Sequence, residues 1–168
     1  RAGSPRKDMQ MNDIGDLAGN TVEFFAPLAQ ENGQTLEFLP GEAGHRLLLC
    51  DKNMVQQMLA NLVGNAVVHG GTGVSIRVRL QDRPETLDLV VEDTGEGIPE
   101  AQRHEVFDLF KRIDSARSKP GSGLGLALVK AIADHHGADV QLSRTDPGAT
   151  DHPGLKVTVS FPKRQLQQ

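Results

Sequence analysis

Three polar side chains recur at intervals of four in the segment NLVGNAVVHG: Asn61, Asn65 and His69. On a helix such positions stand nearly one above another, so two amides and an imidazole would project together from one side. Either the stripe is solvated or it holds something. An Asn amide oxygen can coordinate a hard cation, and Mg²⁺ usually completes its octahedron with waters and substrate phosphates, so few protein ligands are needed. Asn65 suits that role, with Asn61 one turn earlier orienting a water or the metal shell. A neutral amide also adds no negative charge beside a triphosphate. His69, at the helix end, either joins them or hydrogen-bonds the last carbonyls.

The stretch DTGEGIP at 93–99 follows a strand-like alternation. Two glycines one residue apart let a backbone approach a flat group and take positive φ. Ionised Asp93 accepts hydrogen bonds only, so in a pocket it pairs with a donor such as the exocyclic amine of adenine. Guanine presents a carbonyl there and would leave the carboxylate unpaired. The plainer alternative is a strand-to-turn corner in which Asp93 caps its own backbone.

PGSGLGLALVK at 120–130 is a glycine-rich turn running into a helix, whose free N–H groups and positive dipole end suit phosphate oxygens. No strand precedes it and no Gly-Lys-Ser/Thr follows, which excludes the dinucleotide fingerprint and the P-loop. Before it, Lys111, Arg112, Arg117 and Lys119 occupy a polar, Gly/Pro-bearing stretch. They either fold over a triphosphate as a lid or stay solvated surface charges.

The elements that must position these groups follow from periodicity. DIGDLAGNTVEFFAPLAQENG has helical spacing (Ile14, Leu17, Ala18, Val22, Phe25, Leu28, Ala29), with its last turn in question at Pro27. TLEFLP and RLLLC read as strands. Residues 52–69 form the strongest helix, apolar along Val55, Met58, Leu59, Leu62 and Ala66 and stopped by Gly70 and Gly71. Residues 73–93 alternate on either side of the turn-like DRPE, as a hairpin with one buried face. PEAQRHEVFDLF is helix-compatible, LGLALVKAIADHHG is a helix closed by Gly137, and VQLSR and LKVTVSFP are strands. Without strict strand–helix alternation, an α+β fold is expected, with helices on one face of a mainly antiparallel sheet.

Composition narrows the function classes. The 168 residues are 38% hydrophobic and 24% charged, which fits one soluble domain. Six Phe with no Trp or Tyr, and a formal charge of -4, argue against nucleic acid as a partner. The lone Cys50 lies in RLLLC and is expected to be a buried small hydrophobe, as suits a reducing compartment. No apolar run approaches a bilayer span and RAGSPRKDMQ lacks the apolar core of a signal peptide, so a cytoplasmic location is expected.

Taken together and in order, MLANLVGNAVVHG, DTGEGIP, FDLFKR and GSGLGL resemble the N, G1, F and G2 boxes of the ATP-binding catalytic domain of bacterial two-component sensor histidine kinases. The resemblance spans residues 12–162, between a flexible N-terminal linker at 1–11 and a tail at 163–168. It implies a two-layer α/β sandwich of the Bergerat type, with ATP and Mg²⁺ as cofactors. By likeness Asn65 binds Mg²⁺, Asn61 assists, and Asp93 receives the adenine amine over a floor shaped by Gly95 and Gly97. Lys111, Arg112 and Arg117 lie in the lid, which Gly121, Gly123 and Gly125 close; His69, Ile98, Leu124 and Leu126 join the nucleotide contacts. Phe107 and Phe110 match the F-box aromatics.

The implied partner is a dimerisation and phosphoacceptor domain of a parent kinase anchored in the inner membrane, with a response regulator reached indirectly and the isolated fragment monomeric. Several departures stand out. Val68 replaces the usual Lys or Arg, His69 replaces an aromatic, and Leu155 and Lys156 stand where the last strand motif often holds a small polar residue. His104 is followed by Glu105 but by nothing else of a phosphoacceptor motif, so the acceptor lies elsewhere. Asn61 stands where hydrolytic relatives carry a glutamate and cannot take a proton from water, so slow ATP hydrolysis is expected. The alternatives are an anti-sigma-factor-type serine kinase, to which NAVVHG also bears a likeness, and a degenerate nucleotide-sensing domain.

Overall fold

The computed structural model describes residues 8–41, 46–96, 125–149 and 151–163. The elements run β1 (Met9–Asp13), α1 (Ile14–Glu31), β2 (Thr35–Leu39), β3 (Leu47–Asp51), α2 (Lys52–His69), β4 (Ser75–Asp82), β5 (Thr86–Asp93), α3 (Gly125–His135), β6 (Asp139–Ser143) and β7 (Lys156–Pro162). The helix expected in PEAQRHEVFDLF and the cationic stretch after it lie outside the described residues.

Strands β1 and β3 pair antiparallel, Met9 opposite Asp51 and Asp13 opposite Leu47. Each ends in an aspartate that caps the next helix. Asp13 Oδ1 accepts from Gly15 N at 2.8 Å and Asp51 Oδ1 from Met54 N at 3.1 Å, satisfying N–H groups that a helix start leaves unpaired. Strand β1 begins at Met9, inside the stretch expected to be linker through residue 11. Helix α1 runs through Pro27 to Glu31. The turn beyond the proline is held by buried Ala29 and by a Schellman closure, in which Gly33 N (φ 72°) donates to Gln30 O and Gln34 N to Ala29 O.

The main sheet has five strands in the order β2-β4-β5-β7-β6, with β2–β4 parallel and the other pairs antiparallel. One face carries Ile76, Val78, Leu80, Leu87, Leu89, Val91, Val157, Val159 and Phe161 into a single core with Ile14, Leu17, Val55, Met58, Leu59, Val63, Val129 and Ile132 of the helices. This is the two-layer sandwich the resemblance implies. Burying each of these side chains stabilises the fold by about 1.5–3 kcal/mol, and truncating one, as in Leu59→Ala, costs about 2–5 kcal/mol.

The hairpin at 75–93 departs from its expected single buried face. Strand β5 is central, and its outward residues Asp88, Val90 and Glu92 are buried as well. The flanking arginines account for this. Arg77 and Arg79 reach Glu92 at 3.4 and 3.3 Å, and Arg83 reaches Asp88 at 2.7 Å. Their charges satisfy the strand's buried carboxylates.

Candidate functional site

The amide stripe lies on α2 as its spacing predicts. Asn61 and Asn65 are half-buried and His69, the last helical residue, is exposed. Among the described residues neither asparagine side chain makes a hydrogen bond. Two carbonyls near the end of α2, those of Val67 and Gly71, are taken by the connection after α1 rather than by His69. Gln34 Nε2 donates to Val67 O at 2.9 Å and Gly71 O at 3.1 Å, and Asn32 Nδ2 to Val67 O at 3.3 Å.

Asp93 ends β5 and is wired to the chain on both sides. Its Oδ1 accepts from Gly95 N at 2.8 Å and Leu155 N at 3.3 Å, while its own N–H donates to Leu155 O at 3.0 Å. The backbone-capping corner is therefore real, but it occupies one carboxylate oxygen. Among the described residues Oδ2 accepts nothing. Burial pushes the Asp93 carboxyl above its ordinary value, the N–H groups of Gly95 and Leu155 pull it back, and Glu92 raises it slightly.

Gly95 does not take positive φ, contrary to one reason for a glycine here. Space is the reason. A Cβ at Gly95 would lie 3.2 Å from both Gly70 O and Asp93 Oδ1, so the turn after β5 packs directly against the end of α2. Thr94 fixes the same corner: its N donates to Ser75 O at 3.1 Å and its Oγ1 accepts from Ser75 N at 3.0 Å. The fold thus brings the Asp93 corner beside the last turn of α2, where Asn65 and His69 stand.

Gly125 opens α3, and Leu126 is buried in the core beneath it. Gly97, Ile98, Lys111, Arg112, Arg117, Gly121, Gly123 and Leu124 lie outside the described residues. Cys50 is fully buried, and burial raises its thiol to about 11, so it is an inert hydrophobe as expected. Among the described residues no three His, Cys, Asp or Glu side chains gather as a metal cluster. A cation here would rest on amide oxygen, phosphate and water, which fits an Asn65 amide that bonds no described residue.

The profile of the histidine kinase-, DNA gyrase B- and HSP90-like ATPases matches residues 50–165, more than half of the chain. The chain belongs to this ATPase family. The signal transduction histidine-protein kinase/phosphatase MprB of Mycobacterium sp. (strain KMS) is 45% identical over 107 residues, covering 63% of this chain and 21% of that protein. The chain therefore spans about a fifth of that curated relative's length. A solved mycobacterial sensor histidine kinase MprB superposes with a TM-score of 0.73 at 29% identity, covering 92% of this chain and 97% of that one. The nucleotide-free catalytic domain of histidine kinase ThkA superposes with a TM-score of 0.77 at 21% identity, over 92% and 97% of the two chains, a likeness of fold. These relatives put the chain in the sensor histidine kinase branch, as a catalytic ATP-binding domain.

Several residues of this ATPase domain's site escaped the sequence. Leu155 replaces the expected small polar side chain, yet what it offers Asp93 is backbone, one N–H and one carbonyl. Gly154 (φ 79°) makes that approach possible, because a Cβ there would overlap the Asp93 carbonyl oxygen. Its N donates to Gly95 O at 2.8 Å, and Thr145 Oγ1 donates to Leu155 O at 3.1 Å. The one legible signal was the Pro153-Gly154 pair, which marks a turn without saying what it touches.

Proposed function

We propose that this domain binds Mg-ATP and donates the γ-phosphate to a histidine on a separate dimerisation and phosphoacceptor domain of its parent kinase. The observation that carries this reading is the Asp93 corner. One carboxylate oxygen is held by two backbone N–H groups while the other remains available to a donor, and the corner abuts the helix end bearing Asn65. An adenine amine is such a donor, and a carboxylate already fixed in the fold needs no reordering to accept it. Asn65 lends its amide oxygen to the cation and Asn61 orients a water in the same shell. Held there, Mg²⁺ would supply positive charge to offset the negative charge of the phosphates during transfer.

Gly95 and Gly97 shape the floor, with Ile98, Leu124 and Leu126 as apolar contacts. By the family likeness we assign Lys111, Arg112 and Arg117 to the phosphates, Gly121, Gly123 and Gly125 to closing the lid onto the nucleotide, and His69 to the nucleotide contacts. Catalysis is then mainly positioning and electrostatics, a role we assign to Asn61, Arg112 and Arg117. Residue 61 offers no carboxylate to activate water, so hydrolysis by the domain alone is slow. A fast, metal-dependent release of phosphate by the purified chain would contradict this.

The response regulator is served indirectly, through the acceptor histidine, and nucleic acid is no partner. Among the described residues no helix is long and apolar enough to cross a membrane; the anchor we assign to the parent lies elsewhere. Calorimetric titration with a non-hydrolysable ATP analogue, with and without Mg²⁺, tests the reading. Tight binding that weakens when Mg²⁺ is withheld supports it, and no detectable binding rejects it.

A further inference from the structure

His136 is fully buried, 85 residues from its hydrogen-bond partner Asp51, and plays no part in the site described above. It is the cap residue of α3. The helix closes through Gly137 (φ 68°), whose N donates to Asp134 O at 3.1 Å, and through Ala138 N, which donates to Ala133 O at 2.8 Å. The ring then bridges two helix ends. Nδ1 lies 2.8 Å from Ile132 O, one turn back in α3, and Nε2 lies 3.0 Å from Asp51 N, at the start of α2.

This geometry fixes the tautomer. A carbonyl cannot donate, so Nδ1 carries the hydrogen; a backbone N–H cannot accept, so Nε2 is bare. The second link matters because Asp51 is itself the N-cap of α2, holding Met54 N. Helices α2 and α3 otherwise meet through apolar side chains such as Met58, Leu62, Val129 and Ile132, and apolar burial has no preferred direction. A directional hydrogen bond at one end sets how far one helix slides along the other.

We propose that neutral His136 is a positioning residue that locks the end of α3 to the start of α2, holding the helix that bears Asn61 and Asn65 in register with the helix that Gly125 opens. Protonation at Nε2 turns the acceptor into a donor facing the Asp51 N–H, and the lock opens. Among the described residues, the titratable groups that face the ring are His135 on its own helix, with ring centroids 5.3 Å apart, and Asp51 at the β3–α2 junction. From β7 it meets the uncharged edge of Phe161 at 6.0 Å. Burial first of all lowers the imidazole's affinity for a proton; the Ile132 carbonyl raises it, His135 lowers it further and Asp51 raises it.

The functional half of this inference rests on the proposed nucleotide site; the lock itself does not, so the test has two arms. Without nucleotide, long-range ¹H–¹⁵N spectra of the full chain should show the Nδ1–H tautomer, and hydrogen exchange should show the Asp51 amide protected. That protection should fall in His136→Phe and survive in His136→Gln, whose amide oxygen can replace the Nε2 acceptor. An Nε2–H tautomer, or protection unchanged in His136→Phe, overturns the lock.

With Mg²⁺ and a non-hydrolysable ATP analogue, the affinity of the unmodified chain should fall more steeply from about pH 7.5 to about pH 5 than that of His136→Gln, which cannot titrate there. His136→Phe should bind roughly tenfold more weakly at the upper pH, the size of one net hydrogen bond. Circular dichroism at each pH separates this from unfolding. Identical pH profiles for the unmodified chain and His136→Gln overturn the positioning role. Absence of binding by the unmodified chain rejects the nucleotide site, with the first arm still deciding the lock.

Discussion

Asp93 and Asn65 stand at the same end of the molecule and are treated oppositely by the fold. Asp93 is fastened by Gly95 N and Leu155 N at its carboxylate and by Leu155 O at its backbone, so the local turn and one distant segment agree on where it points. The Asn65 side chain, on α2, makes no hydrogen bond to any described residue. The difference tracks what each is proposed to meet. A flat ring carrying one amine demands an acceptor set in advance, whereas a hydrated cation brings its own geometry and tolerates a ligand that is ordered on arrival.

The largest expected effect breaks the fastened side. Gly154→Val forces a branched side chain into positive φ and against the Asp93 carbonyl, costing on the order of 3 kcal/mol; chemical denaturation should show it as a lowered midpoint. A midpoint equal to that of the unmodified chain would mean that the corner is not built as described.

Asp93→Asn is gentler and more informative. Its amide oxygen can still accept from Gly95 and Leu155, but the other atom becomes a donor and meets the adenine amine as a like group. Affinity for the ATP analogue should drop by about 10–100-fold, the scale of a hydrogen bond to a charged group. Stability should move the other way. Because the folded carboxyl lies above its ordinary value, its contribution is fully present below the unfolded-state value and lost as pH rises through the folded one. At neutral pH the Asn variant should be no less stable, and a lowered melting temperature would contradict that.

Asn65→Ala sharpens the comparison. It should leave the melting temperature nearly unchanged and reduce affinity roughly tenfold with Mg²⁺ present, with little change when the metal is withheld. Equal losses under both conditions would remove Asn65 from the metal shell. The smallest effect belongs to exposed Val68, where Val68→Lys should change stability by less than about 0.5 kcal/mol and raise ATP-analogue affinity a few-fold at low salt. No gain on lowering salt would place that position away from the phosphates.

What could be read from the sequence was local. The periodicity of 52–69 and the order of the four motifs carried the family, the sandwich and the placing of Asn61, Asn65 and Asp93. What could not be read depends on partners distant in the chain. Strand β1 is five residues of ordinary composition, made a strand by pairing with β3 nearly forty residues on. The inward and outward burial of β5 required knowing that β4 and β7 flank it. Asp93's second fastening is a backbone N–H 62 residues away, and backbone groups leave no mark in residue type. His136 read as the end of a helix, because burial of an imidazole follows from packing rather than spacing.

Asn32 and Gln34 also have an electrostatic consequence. A helix presents partial negative charge at its C-terminal end, and α2 ends beside the place assigned to a triphosphate. The side-chain amides of Asn32 and Gln34, just beyond α1, supply donors to Val67 O and Gly71 O, turning those carbonyl dipoles toward protein N–H groups. On the proposed site, the connection after the first helix would mute the field a polyanion meets without touching it.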